Sequence, residues 1–190
     1  MSFLKKMFSR KTPPAKTTAA SEQEYKGIIT EDYFHGRYTL QNLDEDPKLL
    51  DGCMKMVESY FLDNKIERNV QYPVNHPVNL DQTMNDGFGF NLYCRAFQLG
   101  EEQAAMFLAM AFSDFMIKEL GFKLYQDSQP EYPLRGMTLK YDKNGALLSL
   151  YPYEYAVKVL NFEADFESLY DKVKSSLENI PSVDDLLSKL

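Results

Sequence analysis

The stretch Glu101–Gly121, with the sequence EEQAAMFLAMAFSDFMIKELG, constrains the fold of this 190-residue chain more than any other. An unbroken apolar run covers Ala104–Phe112, and Phe115–Ile117 extend it after two polar residues. A helix that is apolar on nearly every side is a buried helix. A membrane span needs about 20 apolar residues in succession, and this run is shorter and interrupted. The stretch therefore predicts a helix inside the core of a domain.

The ends of this helix carry the residues that favour a start and a stop. Glu101 and Glu102 place negative charge at the helix N-terminus, and Lys118 places positive charge near the C-terminus, as the helix dipole favours. Gly121 is suited to the left-handed conformation that closes a helix. We expect the next residues to begin a new element directly.

Asp114 is the unusual residue of the stretch, because it is a carboxylate on an otherwise apolar helix. Ala105, Ala109 and Ser113 recur every four residues and form a ridge of small side chains that allows close helix packing. Two interpretations of Asp114 stay open. It is either the partner of Lys118, four residues on, along one wetted edge, or an acid in a binding site.

Further helices are predicted on both sides of the central helix. Pro47 follows Asp46, a pair typical of a helix start, with Asp as N-cap and Pro at the first helical position. We interpret Val70–Leu80 as a loop because Pro73 and Pro77 punctuate it. The predicted helical segments are Pro47–Asn64, Asp81–Leu99, a turn that Pro152 can start and that runs through Tyr155–Leu160, Asp165–Ile180 and Val183–Leu190. Within Asp81–Leu99, the residues Asp86–Phe90 either interrupt the helix or form its start.

After Gly121 the apolar pattern changes to period two, which is typical of strands. Asp142–Gly145 is a strong hairpin signal between two alternating runs. The predicted strands are Phe122–Gln126, Gly136–Tyr141 and Ala146–Tyr151. The sequence thus predicts an α+β fold: a helical layer with a buried central helix packed on a small three-stranded antiparallel sheet, followed by C-terminal helices. Residues 22–180 form the single domain, between a leader and linker at 1–21 and a short terminal helix at 181–190.

Residues 1–11 form a short basic segment with apolar residues at helical spacing. They lack the apolar region and the cleavage site of a signal peptide. One interpretation is an amphipathic helix that makes weak contact with an anionic membrane surface; the other is a start of the chain with no role. The predicted membrane-contact residues are Phe3, Leu4, Lys5, Lys6, Met7 and Phe8.

Composition excludes several classes of function. The net charge of −7 argues against a general nucleic-acid binder, because phosphate contacts need a basic surface. Cys53 and Cys94 lie on apolar stretches without metal-type spacing, so we expect reduced core thiols in a cytosolic protein. No clustered metal ligands, phosphate loop or nucleophile motif is present in the sequence, so no cofactor or metal is predicted.

Two groups of side chains are the remaining candidates for binding. His76 lies in the proline-punctuated loop with Asn75 and Asn79, and loops carry function more often than helices. Tyr151, Tyr153 and Tyr155 alternate, so on an extended segment they would share one face and form a binding platform. The alternative is that these tyrosines cap the sheet edge and pack partly on the core.

From Ala105 to about Ile180 the order of features resembles DUF3806, a bacterial domain family of unknown function. The matching features are the small-residue helix ending at Leu120-Gly121, a short sheet, the aromatic-proline step Tyr151-Pro152, the segment Ala156–Lys158 and an acidic helix. Lys123–Tyr125 lies where that family has a Trp. The resemblance implies an α+β fold and a bacterial origin, and it transfers no catalytic residue.

The sequence favours a non-enzymatic cytosolic module that binds an unidentified protein partner, as an adaptor or immunity protein does. Residues 1–11 would hold it near the inner face of a membrane. The alternative is a small-molecule-binding or hydrolytic domain with a pocket near Asp114 and His76.

Overall fold

The computed structural model describes residues 36–45, 47–141 and 148–179. Six α-helices and one four-stranded antiparallel sheet make up this part of the chain, so the α+β class is confirmed. The elements are β1 (Tyr38–Gln41), α1 (Pro47–Asn64), α2 (Pro77–Asn85), α3 (Phe90–Ala96), α4 (Glu101–Leu120), β2 (Lys123–Asp127), β3 (Met137–Tyr141), β4 (Leu148–Leu150), α5 (Pro152–Leu160) and α6 (Phe166–Glu178).

Helix α4 is the buried centre of the described structure, as the sequence predicts. Every residue from Ala104 to Met116 except Phe107 is buried. Gly121 closes the helix with φ of 75°, a left-handed conformation that glycine adopts without steric cost. At the other end, the Gln103 side chain accepts a hydrogen bond from the Gly100 amide at 2.9 Å. These ends fix the helix between the two glycines that flank it.

The sheet has the order β1-β2-β3-β4, one strand more than the three predicted. Leu124, Leu139 and Leu150 are paired across β2, β3 and β4, and all three are buried. These three leucines belong to the apolar face of the sheet, which packs against the core. The added strand, β1, pairs antiparallel with β2, and it has only four residues with Leu40 exposed at the sheet edge. Its short, half-polar sequence explains why the three-strand prediction omits it.

Helix α2 begins at Pro77, inside the segment predicted to be a loop. The backbone of His76 is extended, with φ of −58° and ψ of 137°, as a residue before proline favours, and proline then occupies the first helical position. The predicted helical stretch Asp81–Leu99 is two helices, because Gly87 and Gly89 adopt positive φ between them. The sequence pattern places Pro77 in a loop, but at the first helical position a proline is compatible with the start of a helix.

Helix α6 docks on α2 and α4 at its N-terminus. The two carboxylate oxygens of Asp81, on α2, accept the backbone N–H groups of Phe166 and Glu167 at 2.7 and 2.9 Å. Asp165 caps the same helix by accepting the Ser168 N–H at 2.7 Å. The Phe166 ring packs on that of Phe112 with centroids 4.9 Å apart. The last helix is therefore held by polar capping and aromatic packing together.

Several sequence predictions lie outside the described residues. They are the leader at 1–21 with its membrane-contact residues, the cap at Asp46, the hairpin turn at Asp142–Gly145 and the terminal helix at 181–190. Within the part of the chain that is described, none of the helices combines the length and apolarity that a membrane crossing requires.

Candidate functional site

Asp114 is buried, with 4% of its surface exposed, and both of its oxygens are engaged. The Lys118 ammonium lies 2.8 Å from Oδ1 and 2.9 Å from Oδ2, so the predicted i,i+4 pair forms. The Asn75 side-chain amide donates to Oδ2 at 3.0 Å and to the Ala111 carbonyl at 2.8 Å. The carboxylate therefore anchors the loop before α2 to the central helix. The sequence pattern did not predict this contact between Asn75 and Asp114.

Asp114 also lies in the wall of a cavity of about 300 Å³. Arg68 and Glu58 face each other across 3.9 Å, and the exposed Tyr72 ring lies 5.8 Å from the Arg68 guanidinium carbon. The apolar part of the wall comprises Met54, Pro73, Val74 and Phe115. Arg68 pairs with Glu58 and Lys118 with Asp114, whereas Glu119, which also lines the cavity, has no ion-pair partner among the described residues.

His76 is an N-cap and a packing residue in this structure. Its Nδ1 accepts the Val78 N–H at 3.3 Å, and its ring meets those of Phe115 and Tyr170 with centroids 5.1 and 6.1 Å apart. Burial lowers the pKa of His76, against the opposing influence of nearby carboxylates including Glu167. Phe115 lines the Asp114 cavity, whereas His76 is not among the wall residues that the structure describes. The two predicted residues thus lie near one cavity, with only Asp114 in its wall.

The three tyrosines do not share one face, because the segment is helical from Pro152 onward. Tyr151 precedes the helix and stacks on Arg135, with 4.7 Å between the guanidinium carbon and the ring centroid. Tyr153 is buried, and burial followed by the nearby Glu102 carboxylate raises its pKa. Tyr155 donates its hydroxyl to the Asp165 carbonyl at 2.9 Å. The predicted platform of alternate tyrosines on an extended segment is therefore wrong.

A groove runs along α5 instead, and Tyr153 forms part of its wall. It consists of two cavities, of about 230 and 360 Å³, that share Leu134 and Val157. We call these two adjoining cavities the α5 groove. The apolar and aromatic part of its lining comprises Tyr132, Leu134, Tyr153, Val157 and Leu160, and the other lining residues are polar or charged. Tyr132 and Leu134 are 53% and 37% exposed, so the groove opens directly to solvent.

The cations of the α5 groove are already neutralised by its own residues. Arg135 Nε lies 2.5 Å from one oxygen of Glu154, and Lys158 Nζ lies 2.9 Å from the other. Arg135 pairs further with Glu131 at 3.5 Å and stacks between Tyr132 and Tyr151. The pKa of Glu154 is lowered, first by its hydrogen bond from Arg135. This network fixes one wall of the groove and leaves it without free positive charge among the described residues.

Two carboxylates at the groove carry no such partner in the described structure. Glu102, from the first turn of α4, lines one cavity, and Glu163, beyond the end of α5, lines the other. Asn91, in the wall beside Glu102, donates its side-chain amide to Glu101 at 3.2 Å, and its Oδ1 is buried without a hydrogen-bond donor.

Phe162 lies in the chain between Asn161 and Glu163, each of which lines one cavity of the groove, and Phe162 itself is not among the lining residues. It is 73% exposed, and its backbone has φ of 60°. This left-handed position closes α5 through hydrogen bonds from Phe162 N to Val159 O and from Glu163 N to Lys158 O, both at 2.9 Å. Glycine usually occupies such a position, and a bulky residue there is strained. The sequence pattern singled out neither Leu134 nor Phe162. The available signal for Phe162 was an aromatic residue in the polar segment that ends a helix.

Cys53 and Cys94 are free and buried, as predicted. Burial raises the pKa of each thiol to about 12. A thiol of this kind is protonated at neutral pH and is a poor nucleophile. The described residues also contain no group of three or more His, Cys, Asp or Glu side chains placed to hold a metal ion.

Fold and surface together define an α+β domain with a buried helical core and an open apolar groove. No family model matches the chain, and no match is found among curated proteins or solved structures. The resemblance to DUF3806 therefore remains a prediction.

Proposed function

We propose that this protein is a non-enzymatic protein-binding module that takes a segment of a partner protein into the α5 groove. The carrying observation is Phe162, a large aromatic side chain that is 73% exposed on a strained backbone, next in the chain to the groove residues Asn161 and Glu163. Folding buries little of that side chain, whereas protein interfaces are enriched in aromatic anchors beside apolar pockets. Backbone strain of this kind is concentrated at functional sites.

The groove also has the size and composition of a site for side chains. Pockets that bury ligand groups are mostly apolar, with a few fixed polar groups that orient the bound partner. Leu134 and Val157 line both cavities, so a bound segment would contact them while it inserts one side chain into each cavity. The Arg135–Glu154–Lys158 network supplies a preordered polar wall. These features support binding of a protein segment, and we propose that the binding serves an adaptor or immunity type of activity in a bacterial cytosol.

A photocrosslinking experiment tests the binding role. A benzoylphenylalanine introduced in place of Leu134, in the full chain and in its native cell, should give a discrete adduct with another protein on irradiation. The matched control carries the same group in place of Leu62, which is 67% exposed and does not line the groove. The absence of any adduct from position 134, or identical adducts from both positions, would refute the proposal.

The backbone of Phe162 allows a second, independent arm. Phe162→Gly relieves the left-handed strain, so the protein should melt at the same or a higher temperature while the adduct from position 134 becomes weaker. Gln98→Gly is the matched control, because Gln98 also has positive φ, at 61°, and lies away from the groove. If both variants leave the adduct unchanged, Phe162 has no part in binding.

Membrane contact by residues 1–11 is the second part of the proposed function, and it rests on their basic amphipathic pattern. One such segment gives weak and reversible binding. The full chain should float with vesicles that contain anionic lipid, and deletion of residues 1–11 should remove this flotation. Equal flotation of both chains would show that the segment does not contact the membrane.

A further inference from the structure

From the charges around the α5 groove we propose that the bound segment is cationic and amphipathic, with apolar side chains in the two cavities and Lys or Arg side chains on Glu102 and Glu163. This inference rests on the proposed function, because it names the chemistry of the partner for the same groove.

The charged groups of the groove differ in whether they already have an ion-pair partner. Arg135 and Lys158 are both paired with Glu154, so neither is available to an acidic partner. Glu102 and Glu163 have no ion-pair partner within the described residues, and they lie in different cavities of the groove. A partner that brings cations to both places meets two unpaired carboxylates, whereas an acidic partner meets repulsion.

The hydrogen-bonding character of the two unpaired groups supports the same polarity. Glu102 and Glu163 are carboxylates, which accept hydrogen bonds. Acceptors require donors, and Lys and Arg side chains are donors without acceptor atoms.

The charge of the whole chain points the same way. Residues 1–21 carry five cations and no carboxylate, so the remaining residues carry a net charge of −12 out of the total of −7. A field of this sign attracts basic partners and accelerates their association at low ionic strength. The apolar floor of Leu134, Tyr153, Val157 and Leu160 excludes a purely polar basic segment, because only apolar side chains would replace the water there.

Synthetic peptides about 15 residues long, a length at which isolated helices become marginally stable, provide the test. One combines Leu and Lys in amphipathic helical order, and a second replaces every Lys by Gln. Fluorescence anisotropy with the full chain should show at least about tenfold tighter binding of the Leu/Lys peptide, since two rim ion pairs and the general field both favour it. Equal affinity for both peptides would overturn the inference, while crosslinking from position 134 would still decide the proposed function.

Matched variants separate the groove from the general charge. Glu102→Gln with Glu163→Gln should weaken Leu/Lys binding roughly three- to tenfold, as two exposed ion pairs do. Glu67→Gln with Glu178→Gln changes the net charge equally, away from the groove, and should weaken it less than twofold. Phe162→Gly should also weaken binding, with no loss of thermal stability. If the two substitutions in the groove weaken peptide binding no more than the two control substitutions, the peptide does not bind in the α5 groove.

The chain's own basic leader is the remaining occupant to exclude. If a chain without residues 1–11 binds the Leu/Lys peptide more than about tenfold more tightly than the full chain, the leader already fills the groove and competes with the peptide. That result would overturn the inference of an external partner. Equal affinity of the two chains is the expected result.

Discussion

Asp81 is the residue whose chemistry most directly links two parts of the chain. It is 8% exposed, and its carboxylate caps the N-terminus of α6. Burial raises the pKa of Asp81 from 3.8 to about 6, although its two backbone hydrogen bonds oppose this. The stability that this group contributes is therefore fully present below pH 3.8 and is lost as the pH rises through about 6.

Replacement by a residue that does not titrate tests this pH dependence. Asp81→Asn retains one acceptor oxygen and turns an N–H group toward a backbone N–H, so we expect a loss of about 1–3 kcal/mol in the free energy of unfolding. The loss, measured by urea unfolding, should be larger at about pH 4 than at about pH 7.5, because only the wild type gains stability at low pH. Asp171→Asn, at an exposed position of helix α6, should cost less than about 0.5 kcal/mol at either pH. A loss that does not vary with pH would show that Asp81 has an ordinary pKa.

Asn75 and Lys118 both contact Asp114, and their replacement should cost different amounts. Asn75 is 2% exposed and donates two hydrogen bonds, so Asn75→Ala leaves buried acceptors and should cost about 2–3 kcal/mol. The Lys118 side chain is 72% exposed, and Lys118→Ala should cost about 1 kcal/mol or less. Thermal unfolding of both variants provides the comparison. A larger cost for Lys118 would mean that the ion pair within α4 contributes more to the free energy of unfolding than the Asn75 hydrogen bonds.

At the scale of the element, the ridge of small residues on α4 controls how closely its neighbours approach. Ala109 is fully buried, and its carbonyl accepts the Ser113 hydroxyl at 2.7 Å. Ala109→Leu adds volume to a closely packed core and should cost about 1–3 kcal/mol. Ala96→Leu, at the exposed end of α3, adds the same atoms without a packing conflict and should cost less than about 0.5 kcal/mol. Similar chemical denaturation midpoints for the two variants would show that the packing around Ala109 accommodates a larger side chain.

The elements that the sequence predicted well are those with strong local signals. Helix α4 has charged first and last turns and a closing glycine, so its bounds follow from local chemistry alone. Strand β1 has four residues and no apolar face of its own, so its identity depends on pairing with β2. The start of α2 at Pro77 depends on a proline that favours a loop and a first helical turn equally. Tertiary contacts, which local patterns do not contain, decide both cases.

The candidate site shows the same limit more strongly. Asp114 stands out in the sequence because one charge interrupts an apolar helix, and its pairing with Lys118 follows from spacing. The α5 groove joins Leu134 to Val157 and Glu102 to Tyr153, residues that are distant in the chain. No periodicity brings such residues together. The tyrosine-platform prediction failed because Pro152 starts a helix, which rotates alternate residues to different faces.

At the scale of the whole molecule, the uneven charge sets how stability responds to salt. The residues that the structure describes carry a net charge of −7, and like charges on one folded body repel one another. Added salt screens this repulsion, with a Debye length of about 8 Å at physiological ionic strength. The Arg37–Asp127 ion pair, at 2.7 Å with the Asp127 side chain 3% exposed, is screened much less.

We therefore expect the full chain to become more stable when NaCl is raised from about 10 to about 150 mM, which urea unfolding at constant pH measures. Binding of the Leu/Lys peptide should weaken over the same range, because it depends on attraction between opposite charges. KCl should give the same result as NaCl, since screening depends on ionic strength and not on the identity of the cation. A loss of stability with added salt would mean that surface ion pairs outweigh the net repulsion. In that case the net negative charge of the protein would not explain the effects of salt on both folding and peptide binding.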